Sequence, residues 1–234
     1  MSFDGRTVIV TGASGNLGQA VVAAFAALGA NLALIDRKRE RLEQTFGAES
    51  ERLLFATADL TDQAQVTAAA AAVRARFGRI DVLCNLAGGF RMGDAVHRTA
   101  DADWTFLFDI NARTFLNAAR AVVPHLLDAG GGRIVSVAAF GALKGGADMG
   151  PYAASKAVVI RLTESMAAEL RDKGINVNCV LPTIIDTPEN RQAMPDADPL
   201  RWVAPQDLAS VIVFLASDGA RAIHGAAIPV TGLS

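Results

Sequence analysis

Short apolar, β-branched runs alternate along this chain with longer stretches of helical periodicity. The runs at 7–10, 31–35, 53–58, 80–84, 133–138, 175–181 and 227–230 read as strands, because they are brief, rich in Val and Ile, and bounded by Gly, Asp or Asn. Between them lie helical stretches. One runs to Leu28 and closes on Gly29. One starts after the basic run Arg37-Lys38-Arg39. An alanine-rich one extends from Asp62, a good N-cap, to Phe77, with Gly78 as its terminator. A long one covers about 102–127, another about 152–173, and Pro205 opens the last, which reaches about Ser217. Residues 139–150 read as a glycine-rich loop. The segment 182–202 is proline-dotted and without period, long for a structureless loop, so it is expected to cover a substrate. Strict alternation of strand and helix predicts one α/β domain over 1–234: a doubly wound parallel sheet of about seven strands, helices on both faces, with 182–204 as a covering loop within it.

Composition narrows the function classes. The formal net charge of −2 and the lack of a long basic run give no case for nucleic acid. No uncharged apolar segment approaches the ~18–20 residues of a membrane span, and the N-terminus enters a strand directly, so a cytoplasmic protein is expected. Cys84 and Cys179 sit in apolar strands and read as core thiols. His97, His125 and His224 are scattered, without zinc-type spacing, so no metal is expected.

The candidate chemistry lies at the carboxyl ends of the predicted strands. The first strand runs into Thr11-Gly12-Ala13-Ser14-Gly15-Asn16-Leu17-Gly18, then a helix, a second strand, and Asp36, which lies 24 residues after Gly12. Glycines let backbone approach a pyrophosphate, a helix N-terminus attracts its charge, and the acid binds a ribose diol. Gly12, Ser14, Gly15, Asn16, Leu17, Gly18 and Asp36 are therefore candidate dinucleotide ligands. Asp36 favours NAD, since a 2′-phosphate would meet a carboxylate; Arg37 and the bases after it leave NADP open. Asp59 and Leu60 end the third strand near an expected adenine edge. Asn85-Leu86-Ala87-Gly88 is a second glycine turn at a strand's carboxyl end. Tyr152, the only tyrosine, stands four residues before Lys156, so on a helix the two rise from one face. A fixed ammonium would lower the phenol's pKa from its ordinary value near ~10.

Together these residues resemble the short-chain dehydrogenase/reductases over nearly the whole chain. The resemblance implies that Tyr152 is the acid/base and that Lys156 binds the nicotinamide ribose and lowers the phenol pKa. Asn111 would hold a water in a proton relay. Pro182, Ile185 and Thr187 would lie against the nicotinamide, and Asn85, Ala87 and Gly88 against the cofactor. It also implies a homodimer or homotetramer, assembled through the helices at 103–127 and 152–173. Two departures stand out. The middle glycine of the short form's turn falls at Asn16, with Gly15 beside it instead. The family's serine, 13 residues before the tyrosine, is Ala139; Ser136 reads as a packing serine in a strand. Losing such a hydroxyl donor costs a carbonyl reductase about two to four kcal/mol in the transition state.

A finer resemblance, to the dihydropteridine reductase branch, rests on Leu181-Pro182, Asp186-Thr187-Pro188, Asn190-Arg191, Met194-Pro195, Ala197-Asp198 and Trp202. The Gly12–Gly18 turn, the run 84–89 and Ala142-Leu143 extend it. That branch keeps Tyr and Lys and lacks the serine, which implies a pterin-like conjugated imine as substrate. Two alternatives stay open: a carbonyl or 3-oxoacyl reductase or alcohol dehydrogenase, and a dinucleotide-binding sensor without catalysis.

Overall fold

A computed structural model describes residues 1–234. It contains seven parallel strands in the order β3-β2-β1-β4-β5-β6-β7. The strands are β1 (Thr7–Thr11), β2 (Asn31–Asp36), β3 (Leu53–Thr57), β4 (Val82–Asn85), β5 (Gly132–Val137), β6 (Ile175–Pro182) and β7 (Ala227–Val230). The alternation predicted from the apolar runs is therefore observed, with ends shifted by one or two residues. Side chains alternate across the sheet, so each strand feeds two cores. Val8, Val10 and Leu34 join Phe25, Val21 and Ile212 on one side, under the helices α1 (Asn16–Ala27) and α8 (Pro205–Ala216). Ile9, Ala33 and Ile35 join Val66, Val122 and Ile134 on the other, under α3 (Gln63–Phe77), α5 (Thr114–Asp128) and α6 (Gly150–Leu170).

Sheet order reverses between β1 and β4, both of which start from the middle of the sheet and lead outward in opposite directions. In such folds a crevice opens at the carboxyl ends of the strands at that point. Thr11 of β1 and Asn85 of β4 end their strands side by side there. The caps expected from sequence are in place. Asp62 accepts from the backbone of Ala64 and Gln65 at the start of α3, and Gly78 ends that helix in the left-handed region.

Three elements differ from the sequence reading. The basic run leads into a short helix, α2 (Arg39–Phe46), as expected, but Arg39 turns away from the crevice to Glu43 and Glu49. The long helix at 102–127 is two α-helices, α4 (Asp101–Phe108) and α5, joined through a π-helical turn at Asp109–Arg113. A π turn adds one residue without breaking the helical path, so apolar periodicity does not reveal it. The segment 182–202 is not structureless. It forms a helix α7 (Pro188–Ala193) and a 3-10 turn at Pro199–Arg201. Thr187 caps α7 by accepting from the Asn190 backbone, and Asp186 and Arg191 pair in a bidentate contact at 2.6 and 2.7 Å. Such local polar contacts stabilise a helix too short to show a period.

Gly18 lies where the glycine turn packs on α1. A Cβ there would stand 2.4 Å from the Gly12 carbonyl oxygen and 2.5 Å from that of Ala13, and neither backbone atom has room to yield. Gly18→Ala is therefore expected to lower the unfolding free energy by about 1–3 kcal/mol in a denaturant titration. Unchanged stability would mean that the turn relaxes freely.

Candidate active site

The crevice is a cleft of about 1110 Å³. Its walls hold Gly12, Ser14, Gly15, Asn16, Leu17 and Gly18 from the first turn, Asp36 and Arg37 after β2, and Asp59 and Leu60 after β3. Ala87 and Gly88 follow β4, and Ile185 and Thr187 follow β6. Most of the predicted dinucleotide ligands thus converge on one cavity. Close packing shapes its floor. A Cβ on Gly12 would meet the Ala87 Cα at 3.1 Å, so the two glycine turns touch only because position 12 lacks a side chain, and its φ of +64° is costly for any other residue.

Asp36 is held in place by the first turn. Its Oδ2 accepts from the Ser14 hydroxyl and, at 3.3 Å, from the Ser14 backbone, while Oδ1 accepts from the Arg37 backbone at 2.7 Å. Lys38 and Arg41 line the same end with Arg37, so a carboxylate and three cations share the place where a ribose would sit. Arg41 was missed from sequence because only the turn of α2 brings it back. Asp59 accepts from the Thr61 hydroxyl and backbone, and these bonds hold its carboxyl below the usual range.

Asn85, Asn111, Tyr152, Lys156 and Pro182 do not line this cavity. Asn85 is buried, and its Oδ1 accepts from the Thr11 hydroxyl at 3.0 Å. The Thr11 oxygen in turn accepts from the backbone of Leu86 and Ala87 at 3.0 and 3.2 Å. Asn85 therefore shapes the second glycine turn from behind instead of facing a ligand. Pro182 is buried in β6 beside Val230 of β7.

Tyr152 and Lys156 occupy the first two turns of α6, which opens with Gly150 and Pro151. The Tyr152 ring is half-buried and meets the edge of Phe90 at 4.9 Å between centroids. Lys156 is only 6% exposed, and its Nζ donates to the Val137 carbonyl at the end of β5, 3.0 Å away. Burial pushes the Lys156 ammonium down to about 8, which leaves it charged at neutral pH. Burial also pushes the Tyr152 phenol up to about 12. The expected lowering of the phenol by Lys156 is thus reversed in this structure. Desolvation sets this direction, and the ammonium is turned to the Val137 carbonyl.

Asn111 sits within the π turn, 2% exposed. Its Oδ1 accepts from the Gly89 backbone at 3.0 Å. Its Nδ2 donates to the Gly89 carbonyl and to the Ser155 hydroxyl, each at 3.0 Å. Ser155 then donates to the Tyr152 carbonyl at 2.8 Å. This brace ties the second glycine turn to the first turn of α6. Ser155 was not singled out from the sequence, although it stands directly before Lys156; a buried serine inside the Tyr-Lys spacing was the available signal. Ala139 is buried, in extended backbone before a 3-10 turn at Phe140–Ala142, and Ser136 is buried in β5 with no partner for its hydroxyl.

This geometry can be set beside known proteins. The model of the family described as short chain dehydrogenase matches residues 6–198. The chain belongs to the short-chain dehydrogenase family. It is 36% identical to D-threitol dehydrogenase of Mycolicibacterium smegmatis over 243 residues, spanning 98% of this chain and 93% of that one. It is 33% identical to a 3-oxoacyl-[acyl-carrier-protein] reductase of Thermotoga maritima, spanning 99% and 98%. Among solved structures, the 3-ketoacyl-(acyl-carrier-protein) reductase of Brucella melitensis complexed with NADH superposes with a TM-score of 0.89 at 29% identity, covering 99% of this chain and 98% of that one. The sequence reading of a single-domain Rossmann fold and an NAD(P)-dependent oxidoreductase is thereby borne out at the level of the family.

A Cβ on Gly88 would stand 2.8 Å from the Lys156 Nζ and 2.9 Å from the Asn111 Oδ1. Gly88→Ala is expected to stay folded with a modestly lower melting temperature, because the lysine end can swing aside but the braced Asn111 must also shift, and to lose about tenfold or more in turnover as the ammonium is displaced. Thermal unfolding and steady-state kinetics on the same preparation check both parts. Unchanged turnover would show that the lysine position is not critical.

Proposed function

We propose that the protein is an NAD(P)H-dependent reductase in which Tyr152 gives a proton to a conjugated C=N group of a pterin-like substrate. The observation that carries this reading is Ala139. A buried methyl stands where a second hydroxyl donor would polarise a ketone oxygen. An imine within a conjugated ring needs one proton delivered and no oxyanion stabilised. The segment after β6 supports the same reading, through its resemblance to the dihydropteridine reductase branch at Asp186, Thr187, Asn190, Arg191, Met194 and Trp202.

In this proposal the cofactor, when bound, supplies the hydride. The chain's residues hold it and manage the proton. The first glycine turn offers backbone N–H groups and the start of α1 to the pyrophosphate. Asp36 accepts from the adenine-side ribose, and Ile185 and Thr187 contact the nicotinamide end. Lys156 keeps a positive charge beneath the second glycine turn, and Tyr152, protonated at neutral pH, is the donor. Asn111 fixes the distance between that second turn and the start of α6. NAD is the expected cofactor, with NADP accommodated by Arg37, Lys38 and Arg41. Exposed Trp104, Phe106 and Leu127 on α4 and α5 support assembly into a homodimer or homotetramer.

A second reading, a carbonyl reductase or alcohol dehydrogenase, is favoured by the names of the relatives, which act on a polyol and on 3-oxoacyl thioesters. Oxidation of NADH or NADPH, followed with a quinonoid dihydropterin, with 3-oxoacyl thioesters and with simple ketones, separates the two. Turnover on the dihydropterin is expected; brisk turnover confined to the thioesters or ketones would reject it. Tyr152→Phe should leave cofactor affinity nearly intact and remove most of the rate, by about a hundredfold or more. A persistent rate would mean that the proton comes from elsewhere. Ala139→Ser should raise the rate on ketones by up to about a hundredfold while leaving the imine rate within a fewfold. No gain on any carbonyl would count against the second reading.

A further inference from the structure

The segment after β6 and the first glycine turn meet through one polar contact. Asn16 Nδ2 donates to Glu189 Oε2 at 2.8 Å, across 173 residues of sequence. Asn16 opens α1 and lines the cleft; Glu189 lies in the first turn of α7, two residues after Thr187, which lines the cleft from the opposite side. The other polar side chains from Asp186 to Arg191 are committed within the segment. Asp186 pairs with Arg191, Thr187 caps α7, and Asn190 Nδ2 donates to the Ile185 carbonyl at 2.8 Å. Glu189 reaches out of it to Asn16, while its carboxylate is also held within the segment by its own backbone and by the Thr187 hydroxyl. Asn16, in turn, stands where the short form of the turn has glycine, which has no side chain to offer.

The root of the segment is fixed separately. Ile185 pairs with Val203, the Asp186 backbone donates to the Val203 carbonyl at 2.8 Å, and Val203 donates to the Ile184 carbonyl at 2.9 Å. Beside it Trp202 is buried. Its root is pinned and its internal contacts are closed, and the contact to Asn16 joins the free side of α7 to the first glycine turn.

We propose that Asn16 and Glu189 form a clasp that holds α7 across the cleft and slows release of the bound dinucleotide. They are positioning residues, acting through α7 and not on the reacting atoms. The release step rests on the reading of the cleft as the cofactor site; the clasp itself does not. A dinucleotide lying between the first glycine turn and Thr187 leaves when those walls part, so the bond between them lengthens its residence. Both partners are at the surface, where one hydrogen bond to a carboxylate has a modest effect.

The test is a double-mutant cycle with two readouts. In cofactor-free protein, amide hydrogen exchange at residues 188–193 is expected to quicken in Asn16→Ala and in Glu189→Ala, and no further in the double variant. In stopped-flow displacement, each single variant should release NADH about three- to fivefold faster than wild type, with the double variant equal to either one. Glu189→Gln keeps an acceptor for Asn16 and should restore slow release, whereas an effect of charge alone would leave it fast. Unchanged exchange at α7, or single effects that multiply in the double variant, would overturn the clasp. Wild-type protein that binds neither NADH nor NADPH would overturn the cofactor reading and the release step with it; the exchange data would still decide the clasp.

Discussion

The site depends on the side chain of Asn111. Its carbonyl and amide groups close a ring with the Gly89 backbone and extend one further bond to Ser155, which holds the carbonyl of Tyr152. Every group involved is buried or half-buried, so a lost partner leaves an unsatisfied donor or acceptor at a cost of about 1–3 kcal/mol. Because the bonds run from a strand-end turn at Gly89 to a helix that begins 61 residues later, at Gly150, they fix a distance that neither element could fix alone. Lys156 and Gly88 then fit within it: the ammonium lies under a turn whose glycine leaves only the room it needs.

Electrostatics follow from the same compactness. Lys156 and Tyr152 are both desolvated, and both are displaced toward their neutral forms, to about 8 and about 12. Raised in this way, the phenol stays protonated at neutral pH but is a weaker acid than a free tyrosine. The end of the cleft at Asp36 has the opposite character. There a carboxylate held by Ser14 stands among Arg37, Lys38 and Arg41 at the surface, where charges are screened and mobile.

Departures from the family pattern acquire physical content once the chain is folded. Asn16, in place of a glycine, does not obstruct the turn, because its side chain points out of it to Glu189. Ala139 leaves a methyl where a donor is expected, and the nearest serine in sequence, Ser136, is buried inside β5 and cannot replace it. The first change adds a contact and the second removes one. Both act on what the site does rather than on whether it forms.

Local pattern was enough for the strands, their parallel arrangement, the glycine turns, the cap at Asp62 and the Tyr152–Lys156 pair. These depend on side-chain periodicity and on residue types that a turn or cap requires, interactions that span a few residues. The π turn at Asn111, the role of Asn85 behind Thr11, the direction of the Lys156 ammonium, the return of Arg41 to the cleft and the bond between Asn16 and Glu189 were settled only by the packed molecule. Each depends on which of several possible partners comes within about 3 Å, and the partners come from strands and helices far apart in sequence, brought together by the sheet order.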